Sequence, residues 1–222
     1  WISEWPACIS VLGNLKYLDF SSNRLTFIPP DLGNLSQLEF LNIAGNNIED
    51  LPDCLQSLQN LQIFYGMANG LTNLPKSFGS LRALQKADLK YNEIRLLPET
   101  FGNLIALEFL DLANNQLHTL PDSFSHLHGL QKLSLSYNQL TEIKNVKLHS
   151  KFVIDLNLSG NKIKQDCFGT FDLPNLKILR LNFMGLTSIP SFVEKCSSIT
   201  KICLTHNKLQ DLPSGITDLL HL

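Results

Sequence analysis

The sequence lacks the features that mark a membrane protein or a nucleic-acid-binding protein. No apolar run approaches the ~18 residues of a membrane-spanning helix, and no charged-then-apolar leader stands at its start. The 222 residues carry 18 basic and 20 acidic side chains, a net charge of −2. This balance offers no overall positive charge to nucleic acid or to an anionic membrane surface. We therefore expect no nucleic-acid binding and no membrane insertion.

Cysteine is scarce, and the cysteines form no cluster of the kind that closes the ends of extracellular domains. The five are odd in number and scattered: Cys8, Cys54, Cys167, Cys196 and Cys203. This distribution predicts free thiols in a reducing compartment, and hence a cytoplasmic location. Motifs for catalysis are missing as well, because the chain has no nucleophile elbow, phosphate-binding glycine loop or zinc-protease motif. We expect no enzymatic activity, no cofactor and no metal.

The sequence does contain a unit of 23 residues that repeats along the chain. Around Asn115, the apolar residues and the proline of one unit are Leu107, Leu110, Leu112, Leu117, Leu120, Pro121, Phe124 and Leu127. They stand at minus 8, minus 5, minus 3, plus 2, plus 5, plus 6, plus 9 and plus 12 from that asparagine. Asparagine occupies eight of nine such origins between Asn23 and Asn207, with Met184 as the exception. A fixed period of this length is typical of a solenoid.

Each unit predicts a short strand followed by a helical or tightly turned return. Leu110 and Leu112 alternate with outward-facing residues, and the later apolar residues are spaced by about three. Pro121 stands where the first turn of a helix tolerates proline. One unit cannot bury its own leucines, so successive strands should form one parallel sheet. The origin asparagines should supply hydrogen bonds to a buried bend, which Met184 cannot do.

Two places depart from the regular core pattern. Gly66 and Ala87 are too small for their core positions, and we expect Phe64 and Phe78 to fill the space. The alternative is a bulge at Gly66 beside a ligand.

In repeats six and seven the return segments lose the pattern. Lys144, Lys147 and Ser150 replace Pro, Phe and Leu, and the basic run ending at Lys151 is either a contact for an acidic partner or a solvated face. The apolar residues expected to rebuild the core there are Val146, Leu148, Phe152, Phe168 and Phe171.

The 23-residue unit with Leu-Pro in its return, as in Leu51-Pro52 and Leu120-Pro121, resembles the leucine-rich repeat family. Within that family it resembles the intracellular arrays of the Ras-pathway scaffold and of Scribble and Erbin. The resemblance implies an α/β fold: a right-handed solenoid, or horseshoe, with a parallel β-sheet on its concave face and short helical or 3-10 segments on its convex face. We predict one domain over residues 1–222, with a partial repeat at 1–14, nine repeats over 15–221 and the start of a truncated tenth at 222.

The outward positions of the predicted sheet are minus 6, minus 4 and minus 2. In repeats one to five, large apolar side chains occupy six of them: Tyr17, Phe40, Ile63, Tyr65, Met67 and Phe109. Charged side chains accompany them at Lys86, Asp88, Lys90, Asp111, Arg180 and Lys201. An apolar centre with a charged margin is typical of a protein-binding face. The alternative is that the aromatic rings only stabilise the sheet as a cross-strand ladder.

Two of these charged residues permit a second interpretation. Asp88 and Asp111 are one period apart and should be neighbours, so they could form a paired acid site. The more ordinary interpretation is a pair of solvated carboxylates flanked by lysines.

We therefore predict a non-catalytic protein–protein interaction module. It would be an intracellular signalling scaffold that binds a partner protein on its concave face, with a small GTPase or another signalling protein as the candidate. The alternative is the targeting array of a larger enzyme, namely a phosphatase, a kinase or a cyclase. A third hypothesis is a fragment of an extracellular receptor, which glycosylation at the Asn34 or Asn157 motif would favour.

Overall fold

The computed structural model describes residues 1–143, 151–164, 167–168, 171–212, 214–219 and 221–222. Nine strands of three residues each lie in this part of the chain: β1 Tyr17–Asp19, β2 Phe40–Asn42, β3 Ile63–Tyr65, β4 Lys86–Asp88, β5 Phe109–Asp111, β6 Lys132–Ser134, β7 Asp155–Asn157, β8 Ile178–Arg180 and β9 Lys201–Cys203. It also contains the 3-10 helices Ala7–Val11, Pro30–Asn34, Asp53–Ser57, Lys76–Ser80, Glu99–Asn103, Asp122–His126, Ser191–Lys195 and Ser214–Asp218.

The nine strands form one open parallel sheet in the order of the sequence. Every residue pairs with the residue one period later, as in the Leu41–Phe64 and Leu110–Leu133 pairs, so the register never slips. The 3-10 returns stack on one another along the other side of the coil. The predicted leucine-rich-repeat horseshoe, with its sheet on the concave face, is confirmed.

The asparagine at each origin ties its own coil to the coil before it. The Asn115 amide nitrogen donates to the carbonyls of Leu112 and Leu89, both at 3.0 Å, and its oxygen accepts the Ile94 N–H at 2.9 Å. The same three bonds recur at Asn46, Asn69, Asn92, Asn138, Asn161 and Asn207. The predicted structural role of these asparagines is therefore confirmed.

The residue before each origin takes the left-handed backbone conformation. Its φ lies between 53° and 72° in all nine repeats. The nine residues are Ser22, Gly45, Ala68, Tyr91, Asn114, Tyr137, Gly160, Phe183 and His206. Only two are glycine, although a large side chain in this conformation costs roughly 1–2 kcal/mol.

The core is a continuous column of leucine and phenylalanine side chains between the sheet and the returns. Phe78, Phe101 and Phe124 stack in parallel planes, with ring centroids 6.0 and 6.2 Å apart. Phe64 meets Phe78 edge to face, and its Cε1 lies only 2.7 Å from where a Cβ of Gly66 would stand. The missing volume at Gly66 is therefore filled as predicted, and the strand pairs there without a bulge.

Three other expectations about the returns have different outcomes. Pro121 lies one residue before its 3-10 helix rather than in its first turn, because the helix begins at Asp122. Phe171 is buried against Phe192 and Phe168 packs on the core, but Phe152 is 60% exposed, so its predicted core role is wrong. Lys144, Val146, Lys147, Leu148 and Ser150 lie outside the described residues.

Candidate protein-binding face

The aromatic residues predicted at the outward strand positions form a connected row across β1 to β5. Tyr17 stacks on Phe40 with centroids 4.0 Å apart and planes 4° from parallel, and Phe40 meets Tyr65 edge to face at 5.6 Å. The Lys86 ammonium then lies between two rings, 5.0 Å from the Tyr65 centroid and 4.9 Å from that of Phe109. The row therefore continues across β4, where no aromatic residue stands.

The rings remain open to solvent even though they contact one another. Tyr17 is 59% exposed, and Phe40, Ile63, Tyr65, Met67 and Phe109 are half-buried. The same side chains therefore form both the cross-strand ladder and the exposed apolar surface. Contacts between neighbours cover the ring faces, while the outer edges of the rings stay accessible to solvent. We name this row, together with Lys86, the aromatic strip.

Beside the aromatic strip lie the two carboxylates that are one period apart. Asp88 is 6% exposed, and its Oδ2 is 3.2 Å from the Lys90 ammonium. Burial raises the pKa of Asp111, and the charge of Asp88 raises it further. Burial lowers the pKa of Lys90, but the hydrogen bond and charge of Asp88 outweigh that effect and leave it raised. The interpretation of Asp88 as a solvated carboxylate is wrong, because the adjoining strands bury it.

Arg180 lies three strands from Phe109 but borders the same depression on the sheet. This depression has a volume of about 210 Å³ and is lined on one side by Phe109 and Asp111 and on the other by Arg180. The Arg180 guanidinium forms an ion pair with Asp155 on the neighbouring strand. Lys201 lies beyond it on the edge strand β9 and is exposed. Of the predicted charged residues, Lys201 is therefore the one farthest from the strip.

Sequence reasoning missed other residues that line the depression, namely Lys132, Ser134, Asp155 and Asn157. They occupy the same minus 6 and minus 4 positions as the predicted ones. The strand alternation alone predicts that they face outward, but nothing in their residue types distinguishes them from ordinary solvated side chains.

Among the described residues, no group of three or more His, Cys, Asp or Glu side chains could hold a metal ion. Within the same ranges, every helix is too short or too polar to cross a bilayer.

Two family profiles match the chain. The profile described as "Leucine rich repeat" matches residues 67–117 and 95–140, and the one described as "Leucine Rich repeats (2 copies)" matches residues 13–53. Together they cover slightly more than half of the sequence. The chain belongs to the leucine-rich repeat family.

Solved leucine-rich repeat structures resemble the chain over its whole length. A leucine-rich repeat protein of Leptospira interrogans matches with a TM-score of 0.90 and 32% identity, over 100% of this chain. The ectodomain of the Arabidopsis thaliana membrane receptor kinase GASSHO1/SCHENGEN3, solved with CASPARIAN STRIP INTEGRITY FACTOR 2, matches at 0.82 and 29% over 99%. A chain of the PEPR1–AtPEP1 complex matches at 0.80 and 26%, also over 99%.

The chain is shorter than each of these leucine-rich repeat proteins. It spans 56% of the Leptospira protein, 28% of the GASSHO1/SCHENGEN3 ectodomain and 36% of the PEPR1 complex chain. Comparison with curated protein sequences gives no significant match. Leucine-rich repeat domains are in general non-catalytic modules that bind protein partners on an extended concave surface.

Proposed function

We propose that this leucine-rich repeat array is a protein-interaction module of an intracellular signalling scaffold. It binds a partner protein on the concave face, with the aromatic strip at the centre of the contact and the charged residues of β4 to β8 at its margin. A small GTPase or another signalling protein is the candidate partner. The array itself carries out no catalysis in this proposal.

The observation that carries the proposal is the exposure of the aromatic strip. Large side chains on a sheet face with no layer packed over them leave apolar area in water, which costs about 25 cal/mol per Å². Tyrosine and phenylalanine anchors of this kind are frequent at the centres of protein interfaces. An interface of standard size would cover ~800 Å² on each partner. The sheet needs little rearrangement to present such an area, since its register is fixed by the core.

A matched pair of variants tests the proposal. Phe40→Asp, Tyr65→Asp and Phe109→Asp together place three charges in the aromatic strip. Phe27→Asp, Leu96→Asp and Ile105→Asp place three charges on exposed apolar residues outside the sheet. In affinity capture from cytosol, we expect the strip variant to lose the partners that wild type and the second variant retain. Retention of every partner by a folded strip variant would refute the concave-face proposal.

The cytoplasmic location is part of the proposal and is supported by the thiols. The five cysteines, all of which the structure describes, form no disulfide with one another, and Cys167 and Cys196 are buried in the core. Free buried thiols are common in reducing compartments. The targeting array of a larger enzyme remains the alternative in which the same concave face binds, and the sequence of the full-length protein would distinguish the two.

An extracellular receptor array is the second candidate function. The observation that favours it is the similarity to the GASSHO1/SCHENGEN3 ectodomain and to the PEPR1–AtPEP1 complex. Mass spectrometry of the protein from its native source separates the candidates. A glycan on Asn34 or Asn157 would favour the receptor and contradict the cytoplasmic proposal, whereas unmodified asparagines and reduced cysteines would agree with the scaffold.

A further inference from the structure

A second surface lies along the bends that follow the strands of repeats six to nine. Its outward residues stand at minus 1, plus 1 and plus 3 from each origin and alternate with buried core residues. We name this surface the loop edge. Its members are Tyr137, Gln139, Thr141, Gly160, Lys162, Lys164, Phe183, Gly185, Thr187, His206, Lys208 and Gln210. All of them except the half-buried Gly160 are exposed.

Three aromatic rings of the loop edge lie in a row, of which two are stacked and the third is tilted by 42°. Phe183 and His206 lie face to face, with centroids 4.3 Å apart and planes 11° from parallel. Tyr137 lies on the other side of Phe183 at 6.5 Å. The Tyr137 ring covers Gly160, where a Cβ would stand 2.6 Å from its Cδ1. Gly160, in repeat seven, therefore leaves the space in which the Tyr137 ring lies.

The rings occupy a backbone conformation that disfavours them. Tyr137, Phe183 and His206 have φ of 53°, 56° and 55°, in the left-handed region where glycine carries no penalty. Tyr137 and Phe183 are also 49% and 48% exposed, so burial recovers only part of that cost. The bend is left-handed in all nine repeats, and in repeats six, eight and nine its outward residue is an aromatic ring.

Three lysines lie on the same surface as these rings. Lys162, Lys164 and Lys208 are exposed members of the loop edge, and none of them forms an ion pair with a described residue. Acidic residues are absent from the minus 1, plus 1 and plus 3 positions of these four repeats, and the acids Glu142 and Asp211 follow only at plus 4. The asymmetry extends to the whole chain, because residues 1–143 carry 8 basic and 14 acidic side chains whereas residues 144–222 carry 10 and 6.

We propose that the loop edge of repeats six to nine is a second binding surface, which takes an acidic polypeptide segment. Carboxylates of the segment would meet the three lysines, and its apolar side chains would lie along the edges of the stacked rings. Charge complementarity selects the partner, since the surface offers cations and no carboxylate of its own. This site is separate from the aromatic strip, and either could exist without the other.

The ring geometry favours a polypeptide over a single-stranded nucleic acid. Nucleic-acid bases bind by stacking on open ring faces. Here His206 and Tyr137 flank Phe183 on its two sides and leave its edge exposed. Ring edges carry the positive part of the aromatic quadrupole, which attracts carboxylate oxygens.

Fluorescence anisotropy with defined probes tests this proposal. The probe is a labelled peptide of about six residues rich in glutamate with two leucines, since an extended chain advances ~3.3 Å per residue and four repeats span ~15–20 Å. A peptide with lysine in place of glutamate and a labelled oligothymidylate of similar charge are the comparison probes. We expect the acidic peptide to bind wild type in a salt-sensitive manner and the other two to bind at least roughly tenfold more weakly.

Three variants decide the role of the residues. Lys162→Gln, Lys164→Gln and Lys208→Gln together should weaken binding of the acidic peptide by roughly tenfold. The matched triple Lys76→Gln, Arg82→Gln and Lys195→Gln removes equal charge from exposed positions elsewhere and should leave binding unchanged. Phe183→Gly should weaken binding while the protein stays folded, because glycine suits the left-handed bend.

Several results would overturn the proposal. They are equal loss in the two lysine triples, unchanged affinity in Phe183→Gly, tighter binding of the oligothymidylate, or no binding of the acidic peptide to wild type at low salt. The oligothymidylate result would assign the surface to nucleic acid instead.

Discussion

At the scale of single residues, one side-chain amide in each coil decides whether the backbone groups of the bend after the strand are hydrogen-bonded. Seven of the origin asparagines bridge two coils with three hydrogen bonds, while Asn23 accepts the Ile2 N–H of the partial first unit. In repeat eight the thioether of Met184 cannot do this. The Ile163 N–H, which would meet an amide oxygen there, has no hydrogen-bond partner among the described residues. An unpaired buried N–H of this kind costs roughly 1–3 kcal/mol.

Met184→Asn should therefore stabilise the protein. The new amide would accept the Ile163 N–H and donate to the Leu158 carbonyl, as the asparagines do in neighbouring coils, for a gain of roughly 1–3 kcal/mol. Urea denaturation followed by circular dichroism measures the change. Asn138→Met is the control and should shift the midpoint the opposite way. A midpoint for Met184→Asn that stays in place or falls would show that amide bonding does not limit stability at this bend.

Cys196 should make stability depend on alkaline pH. Burial, and next the charge of Asp172, raise its thiol pKa from 9.0 to about 11. The unfolded thiol loses its proton near pH 9 while the folded thiol keeps it, so the free energy of unfolding should fall as pH rises from 9 to 11. The free energy of unfolding of Cys196→Val, measured by denaturation at pH 8, 9 and 10, should lack this part of the pH dependence. Parallel slopes in the two proteins would contradict the prediction.

At the scale of elements, glycine at one position of the repeat lets the backbones of two successive 3-10 returns come very close in the middle of the array. Gly33, Gly79 and Gly102 stand at the same position, plus 10, in their repeats. A Cβ at Gly102 would lie 2.0 Å from the Ser123 carbonyl oxygen, whereas at Gly33 the nearest atom is the Cys54 Cβ at 3.1 Å. A side chain at this position would therefore collide with the backbone of the next helix in the middle of the array, but would make only a mildly tight contact near its start.

Gly102→Ala should destabilise the array, because the backbone of the next helix must move to admit the methyl group. Overpacking of this kind costs roughly 1–3 kcal/mol. Gly33→Ala is the matched control and should be close to neutral, since lower backbone entropy in the unfolded chain offsets a mild contact. Thermal unfolding of the two variants side by side makes the comparison. Equal effects at both positions would mean that the returns can separate at little cost.

At the scale of the whole molecule, each coil contacts its two neighbours, so the array should tolerate loss of a full period but not of half. Removing residues 38–60 deletes one period and brings β1 beside β3. The Asn69 amide would then meet the Leu25 N–H and the Phe20 carbonyl, which Asn46 now serves. The stability of such an array is approximately a sum over repeats and their interfaces.

The 38–60 deletion should fold cooperatively, with a denaturant m-value lower by about a tenth, because m follows the surface exposed on unfolding. Deletion of residues 38–49 is the control, since it moves the core leucines out of register and should abolish cooperative unfolding. Guanidinium denaturation measures both. A full-period deletion that fails to fold would contradict the nearest-neighbour description.

The sequence alone determined the path of the chain. Two kinds of residue recur every 23 positions, and both need a neighbouring coil. The leucines need it to be buried, and the asparagine needs its backbone N–H and C=O groups as hydrogen-bond partners. Their spacing therefore specifies strand register, sheet order and core before any contact is known. It also predicted that Phe64 fills the volume missing at Gly66, because the two residues are two positions apart and therefore face the same side.

The tertiary structure alone decided which exposed side chains meet. Lys86 lies between the rings of Tyr65 and Phe109, Asp88 is buried rather than solvated, and Phe183 stacks on His206. Such contacts join residues 21 to 23 positions apart in the sequence. Whether they form depends on ring rotation, on the glycine of an intervening coil and on the curvature of the bend. The 23-residue period constrains the buried side chains of each unit, because they must pack against the same positions of the neighbouring units. The outward side chains have no such requirement, so their contacts are decided only when the coils are stacked.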